Sequence, residues 1–157
     1  MDRHIEEASY PITFRKGDAE TLGLHIKNRH NVVLVGMKRV GISNFLRFFL
    51  YRKGIQESYI NDGKKYVFIP VDLNDLVERE LYPFWVLTLK RIEDAVEKAQ
   101  ISPKTKKYIE TLFLDSIQSQ DLFLTIDSIR KSLSHLVDEG ITPVLFFLRF
   151  DRMKDVV

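Results

Sequence analysis

The sequence predicts an α/β fold with a mostly parallel sheet, and three observations support this. Short apolar runs at residues 32–35, 65–73 and 142–150 have the length and composition of β-strands. The first run, VVLV, is apolar at every position, which is typical of a strand buried between helices. Segments with helical spacing of apolar residues lie between the runs. We therefore expect about three strands and five helices.

The first two helices flank the first apolar run. Residues 17–30 have apolar side chains spaced for a helix and basic residues near its end. Residues 43–53 form a strongly apolar segment, and Gly54 is placed to end it in a left-handed conformation. Before both helices, residues 1–13 carry mixed charge and a proline, and we interpret them as an N-terminal arm.

Three further helices are predicted between the second and third strands. Pro83 suits the first turn of a helix over residues 83–99. Ser102 followed by Pro103 is the pattern of an N-cap and the first helical residue. Asp121 can cap the last helix, which Gly140 would end. In the second strand, Pro70 lacks an N–H group and favours the edge of a sheet.

Composition excludes several classes of protein. The chain has 157 residues, of which 45% are hydrophobic, and 24 basic residues nearly balance 22 acidic ones. This balance argues against a protein that binds nucleic acid with its whole surface. There is no cysteine, so there is no disulfide framework. The sequence shows neither a secretory signal nor an apolar run long enough to cross a membrane, and we expect a cytoplasmic protein.

A glycine-containing loop follows the first apolar run. In NVVLVGMKRVGIS, Gly36 and Gly41 are five residues apart and Ser43 follows at once. The spacing matches the phosphate-binding pattern G-x-x-x-x-G-K-[ST], except that Ile42 occupies the lysine position. Backbone N–H groups in such a loop, with a helix N-terminus behind them, attract phosphate without any lysine. A plain turn with two glycines is the alternative.

Four blocks of the sequence carry a resemblance to a known family; they are FRKGDAETL, NVVLVGMKRVGISNFLRFFL, YVFIPVDL and PVLFFLRFDRM. They resemble the P-loop ATPases of the AAA and signal-transduction ATPase group, including prokaryotic members related to origin-recognition proteins. The resemblance implies a three-layer P-loop sandwich over residues 14–157 and binding of ATP or ADP with Mg²⁺. The nucleotide-binding residues implied are Gly36, Met37, Lys38, Arg39, Val40, Gly41, Ile42, Ser43 and Asn44, with the Ser43 hydroxyl on Mg²⁺.

The sequence departs from this family at the residues that carry out the family's chemistry. Besides Ile42, Leu148 and Arg149 stand where the family has the two Walker B acids. Loss of one charge-assisted hydrogen bond costs about 1.5–3 kcal/mol, so nucleotide binding should be weak. Phosphoryl transfer depends on positioned cations and Mg²⁺, so hydrolysis should be impaired. A regulatory or interaction role follows. The alternatives are an atypical ATPase completed by a partner and a non-enzymatic module associated with nucleic acid.

The family's strand order, 5-1-4-3-2, adds an expectation about partners. The strand that lies between the P-loop strand and the Walker B strand would come after residue 157. The resemblance therefore implies an incomplete sheet, truncated at its C-terminal side, with an open hydrophobic edge. Such edges recruit other strands. We expect a protein partner or self-association, with binding to nucleic acid possible but not favoured.

Other residues with chemical potential are weaker candidates. The four histidines show no spacing typical of metal ligands, and a separation of five places His25 and His30 poorly on one helix face. Asp72 and Asp75 could flank a site, although a cap or a solvated loop is the simpler interpretation. The basic residues of the last two helices favour solvated faces over a phosphate contact; they are Lys104, Lys106, Lys107, Arg130 and Lys131.

Overall fold

A computed structural model describes residues 4–35 and 41–153 of the chain. The chain forms two compact units, Met1–Lys64 and Lys65–Val157. The described residues contain five α-helices and a two-stranded parallel sheet, which confirms a mixed α/β protein. No helix among them is long and apolar enough to cross a membrane.

The first unit is helical. A 3₁₀ turn, Glu6–Ser9, precedes helix α1 (Lys16–Lys27) and helix α2 (Ile42–Tyr51), and a π-helical turn, Gln56–Ile60, follows them. Each helix was predicted within three residues at either end. The core of the unit is aromatic: Phe48 is fully buried, and the ring of Phe14 meets it edge to face with centroids 5.2 Å apart.

Gly23 allows α1 to approach the π-helical turn. A Cβ atom at this position would lie 2.1 Å from the carbonyl oxygen of Tyr59, which is far inside contact distance. The Tyr59 hydroxyl donates a hydrogen bond to the carbonyl oxygen of Ile12. The absence of a side chain at Gly23 therefore determines how closely these two elements pack.

The strand predicted at residues 31–36 is wrong for the described part of that segment. Residues 31–35 have no regular secondary structure, and Gly36 lies outside the described residues. Val33 is 85% exposed and Val35 is 88% exposed. An apolar run becomes a strand only when a neighbouring strand pairs with its backbone, and no described residue does so here. The described residues therefore contain two strands, where three were expected.

The second unit places three helices between two parallel strands. Strand β1 (Lys65–Asp72) is followed by α3 (Leu81–Lys98), α4 (Pro103–Ser119) and α5 (Leu122–Asp138), and then by strand β2 (Ile141–Leu148). The register of the sheet pairs Lys65 with Ile141 and Asp72 with Leu148. Helix α3 packs on β1, α5 packs on β2, and α4 packs on both of these helices.

The core of the second unit and its helix ends agree with the sequence pattern. Completely buried residues come from β1, α3, α4 and α5, and include Ile69, Val71, Leu89, Ile92, Ile109 and Leu136. The Ser102 hydroxyl accepts a hydrogen bond from the Thr105 N–H, and Asp121 accepts one from the Leu124 N–H. Gly140 adopts φ 80°, so the predicted caps and stop are confirmed.

The close approach at Gly23 gives a paired stability test. Gly23→Ala should lower the free energy of unfolding by about 1–3 kcal/mol, because α1 and the π-helical turn must separate. Gly17→Ala, on the same helix, meets no atom within 4 Å. It should raise stability by about 0.5–1 kcal/mol through the better helix propensity of alanine. Urea unfolding of both variants measures the contrast, and equal effects would contradict the packing described.

A buried ion pair gives a pH test. Arg47 Nε lies 2.9 Å from Glu7 Oε1. Burial raises the pKa of Glu7, but hydrogen bonds from its backbone and from Arg47, with the Arg47 charge, outweigh burial and bring it below the ordinary 4.5. A lowered folded pKa contributes stability above the unfolded value, and this contribution is lost as the pH falls through the folded value.

Glu7→Gln should therefore cost about 1 kcal/mol at pH 7, a figure reduced because Arg47 is partly exposed. The difference from the natural chain should shrink as the pH falls through the lowered folded pKa of Glu7. Unfolding in urea at a series of pH values measures it. Glu6→Gln, at the neighbouring exposed acid, is the control and should change little at either pH. A cost for Glu7→Gln that persists undiminished in acid would refute the charge-based explanation.

Candidate nucleotide-binding site

Helix α2 begins directly behind the second glycine of the motif. Gly41 adopts φ 78°, which favours glycine, and its carbonyl oxygen accepts the first helical hydrogen bond, from the Phe45 N–H at 2.9 Å. Since glycine has no side chain, it supplies no cap. The backbone N–H groups of Ile42, Ser43 and Asn44 donate no hydrogen bond to any residue in the described ranges. These donors and the helix dipole together favour an anion.

Arg15 anchors the start of α2. Its Nη1 donates a hydrogen bond to the Gly41 carbonyl oxygen at 3.1 Å, and its guanidinium lies 5.2 Å from the centre of the Phe45 ring. The same side chain forms an ion pair with Asp18 at 2.7 Å. Arg15 thus holds the turn from the side of α1. Sequence reasoning missed this contact because the two residues are 26 positions apart and share no motif.

Four of the nine predicted nucleotide-binding residues lie within the described chain. Ile42 is half-buried, whereas Ser43 and Asn44 are exposed at the first turn of α2. The Asn44 side-chain oxygen accepts a hydrogen bond from Arg47. The other five predicted residues lie outside the described residues; they are Gly36, Met37, Lys38, Arg39 and Val40.

The carboxyl ends of β1 and β2 carry charges that are already paired. Arg149, directly after β2, lies 3.7 Å from Asp72 at the end of β1, and Asp72 also accepts a hydrogen bond from the Asn74 N–H. Asp75 forms an ion pair with Arg91 at 3.0 Å. Asp72 and Asp75 therefore act as a turn cap and an ion-pair partner, in line with the simpler interpretation of them.

Two of the basic residues, both on α5, line an open depression of about 280 Å³. Arg130, Lys131 and Asp138 are among its lining residues. Lys131 is paired with Asp127 at 3.0 Å, and Lys106 donates to the Glu97 carbonyl oxygen. Mixed charge and internal pairing favour a solvated face over a contact for a nucleic-acid backbone.

Glu93 on α3 has an unusual environment. Burial raises its pKa; Lys90 opposes this effect, and the neighbouring carboxylates Asp94, Glu110 and Glu97 add to it. One of its carboxylate oxygens, Oε2, is buried without a hydrogen-bond partner in the described part of the chain. Lys90 lies 3.3 Å from Asp94, so a cation is already present in this group. Among residues 4–35 and 41–153, no set of three or more His, Asp and Glu side chains could hold a metal ion.

Comparisons of the chain with protein-family models, with curated proteins and with solved structures found no match. The P-loop resemblance therefore depends on the motif residues themselves and on the local geometry at the start of α2.

Proposed function

We propose that this chain is a degenerate P-loop ATPase-like domain that binds ATP or ADP weakly, hydrolyses ATP slowly or not at all, and acts through protein contacts. The observation that carries the proposal is the first turn of α2 behind Gly41, which no residue in the described ranges caps. Its N–H groups have no partner among the described residues, and a phosphate would satisfy them. Ser43, exposed on the same turn, offers a hydroxyl for Mg²⁺.

Residues at the motif positions argue against efficient hydrolysis of ATP. Ile42 offers no charge to the phosphates, and Leu148 replaces the acid that holds the metal shell in the family. Arg149 brings a positive charge where the family has the acid that polarises the attacking water. That positive charge lies beside Asp72, which is therefore already engaged. Stabilising a transferred phosphoryl group requires cations and Mg²⁺ in fixed positions. An ATPase completed by a partner is the second candidate, because another chain could supply these groups.

The exposed valine run supports a role in association. In residues 31–35 the backbone makes no hydrogen bond to any described residue, although Val33 and Val35 are β-branched residues that suit a strand. A segment with unpaired backbone groups and apolar side chains can complete itself by pairing with another strand. The same segment on a second copy of the chain also has unpaired backbone groups, so we propose that the segments of two copies pair with each other.

The nucleotide proposal is tested by restoring the missing charge. Ile42→Lys should tighten ATP binding by about ten- to a hundred-fold, because it adds one charge-assisted hydrogen bond, without restoring turnover. Calorimetric titration with and without Mg²⁺ measures the affinity, and phosphate release measures turnover. Ile42→Met controls for the lost isoleucine, and Val77→Lys adds the same charge at a 98% exposed site in the other unit.

Two results would reject this proposal. An unchanged affinity in Ile42→Lys would mean that the loop does not present its N–H groups to phosphate. Turnover at an ordinary rate of about 1–100 s⁻¹ in the natural chain, abolished by Gly41→Pro, would make the protein a working ATPase.

The association proposal is tested at the valine run. Val33→Lys with Val35→Lys should convert a self-associating chain into a monomer at micromolar concentration, since charge blocks edge pairing. Light scattering or sedimentation velocity measures the mass. Val77→Lys, at an equally exposed but isolated valine, is the control and should leave association unchanged. A natural chain that stays monomeric across this range contradicts self-pairing.

A further inference from the structure

The C-terminal end of α1 brings two histidines together. His25 Nδ1 and His30 Nδ1 are 3.1 Å apart, and the ring centroids are 5.4 Å apart. The sequence-based expectation that a separation of five keeps them apart is wrong, because the helix does not continue to residue 30. It ends at Lys27, and the chain reverses direction beyond it.

The reversal is a Schellman motif, which accounts for the contact. Arg29 adopts φ 59°, the His30 N–H donates to the His25 carbonyl oxygen at 2.9 Å, and the Arg29 N–H donates to Ile26 at 3.0 Å. This motif places the third-last helical residue beside the second residue after the cap, where two hydrophobic side chains usually meet. Here both positions carry imidazole, and the backbone fixes their separation.

We propose that His25 and His30 form a two-imidazole chelate for a divalent transition-metal ion, with Cu²⁺, Ni²⁺ and Zn²⁺ as the class of ligand. Metal–imidazole bonds of about 2.0–2.1 Å place two ligand nitrogens about 2.9 Å apart at a right angle and about 3.3 Å apart at a tetrahedral angle. The separation of 3.1 Å lies between these values. The N···N separation thus suits one metal ion. Ring centroids 5.4 Å apart place the two Nδ1 atoms head to head, as in a hydrogen bond, so both rings must turn slightly to direct their lone pairs at one ion.

The electrostatic setting also suits a cation. The carbonyl groups at a helix C-terminus carry partial negative charge, and both histidines flank that end of α1. Lys27 and Arg29 are exposed, so solvent screens their repulsion. His25 is half-buried and His30 is exposed, which leaves room for water to complete the coordination shell. With two protein ligands, the ion would exchange readily.

The experiment is a titration of the full chain, free of any added histidine tag and of nucleotide, with Zn²⁺, Ni²⁺ and Cu²⁺. We expect one ion per chain and an affinity order with Cu²⁺ tightest. With Zn²⁺, the Nδ1 resonances of His25 and His30 should move in imidazole ¹⁵N spectra, and those of His4 and His135 should not. Because nucleotide is absent, the result is independent of the proposed function.

Variants separate a chelate from two independent imidazoles. His25→Gln and His30→Gln should each weaken binding by about ten-fold or more, since even an outer-shell change costs 10- to 100-fold in metal affinity. In a chelate, each single variant should still bind one ion per chain but more weakly, and the double variant should bind weakest. Two independent imidazoles would bind two ions, and each single variant would remove one of them without changing the affinity for the other. His4→Gln, at an exposed histidine elsewhere, should bind as the natural chain does.

A third pair of variants tests the backbone without touching an imidazole. Arg29→Gly keeps the left-handed turn and should preserve the affinity, whereas Arg29→Val disfavours it and should weaken binding about ten-fold. Two ions bound per chain, of which a single histidine variant loses one at unchanged affinity for the other, would overturn the proposal. Equal binding in the two Arg29 variants, or an ion shared between two chains, would also overturn it. So would the absence of binding, which would leave a simple imidazole–imidazole hydrogen bond.

Discussion

Parallel pairing of β1 with β2 is the constraint on which the second unit depends. Parallel strands cannot be joined by a tight turn, so the chain must return to the same end of the sheet through a long crossover. Here the crossover holds α3, α4 and α5, and their apolar faces supply half of the buried side chains in the core. A two-stranded sheet is marginal by itself, so the helices and the sheet stabilise one another.

The same pairing explains which prolines the sheet tolerates. Pro70 lies opposite Phe146, and Pro143 lies opposite Val67. In the described sheet each strand has one unpaired edge, so a missing N–H group need not interrupt the ladder. The sequence-based placement of Pro70 at an edge was correct for this reason. A central strand of a wider sheet would have been a poor place for it.

The helices of the second unit were predictable because their signals are local. Ser102, Pro103 and Asp121 fix the helix starts through hydrogen bonds and backbone angles within a few residues. The valine run failed as a strand prediction because pairing depends on a distant partner, which composition does not reveal.

The candidate sites also differ in whether their signals in the sequence are local. Gly41 and the start of α2 were found from the motif, since the left-handed glycine and the first helical turn are adjacent in sequence. The Arg15 contact with Gly41 and the meeting of His25 with His30 were missed. The first joins distant positions. The second depends on Arg29 adopting the left-handed conformation without being glycine, so the usual sign of a helix end is absent.

If α2 binds nucleotide as proposed, its energetics explain why isoleucine at position 42 would separate binding from catalysis. A helix N-terminus contributes about 0.3–1 kcal/mol to anion binding at an exposed site, and each charge-assisted hydrogen bond adds about 1.5–3 kcal/mol. Two such bonds approach the 4.1 kcal/mol that corresponds to a millimolar dissociation constant. In the proposed site, the N–H groups of Ile42, Ser43 and Asn44 would therefore hold phosphate weakly. They would act equally on bound nucleotide and on the transition state, and uniform binding of this kind does not accelerate the chemical step.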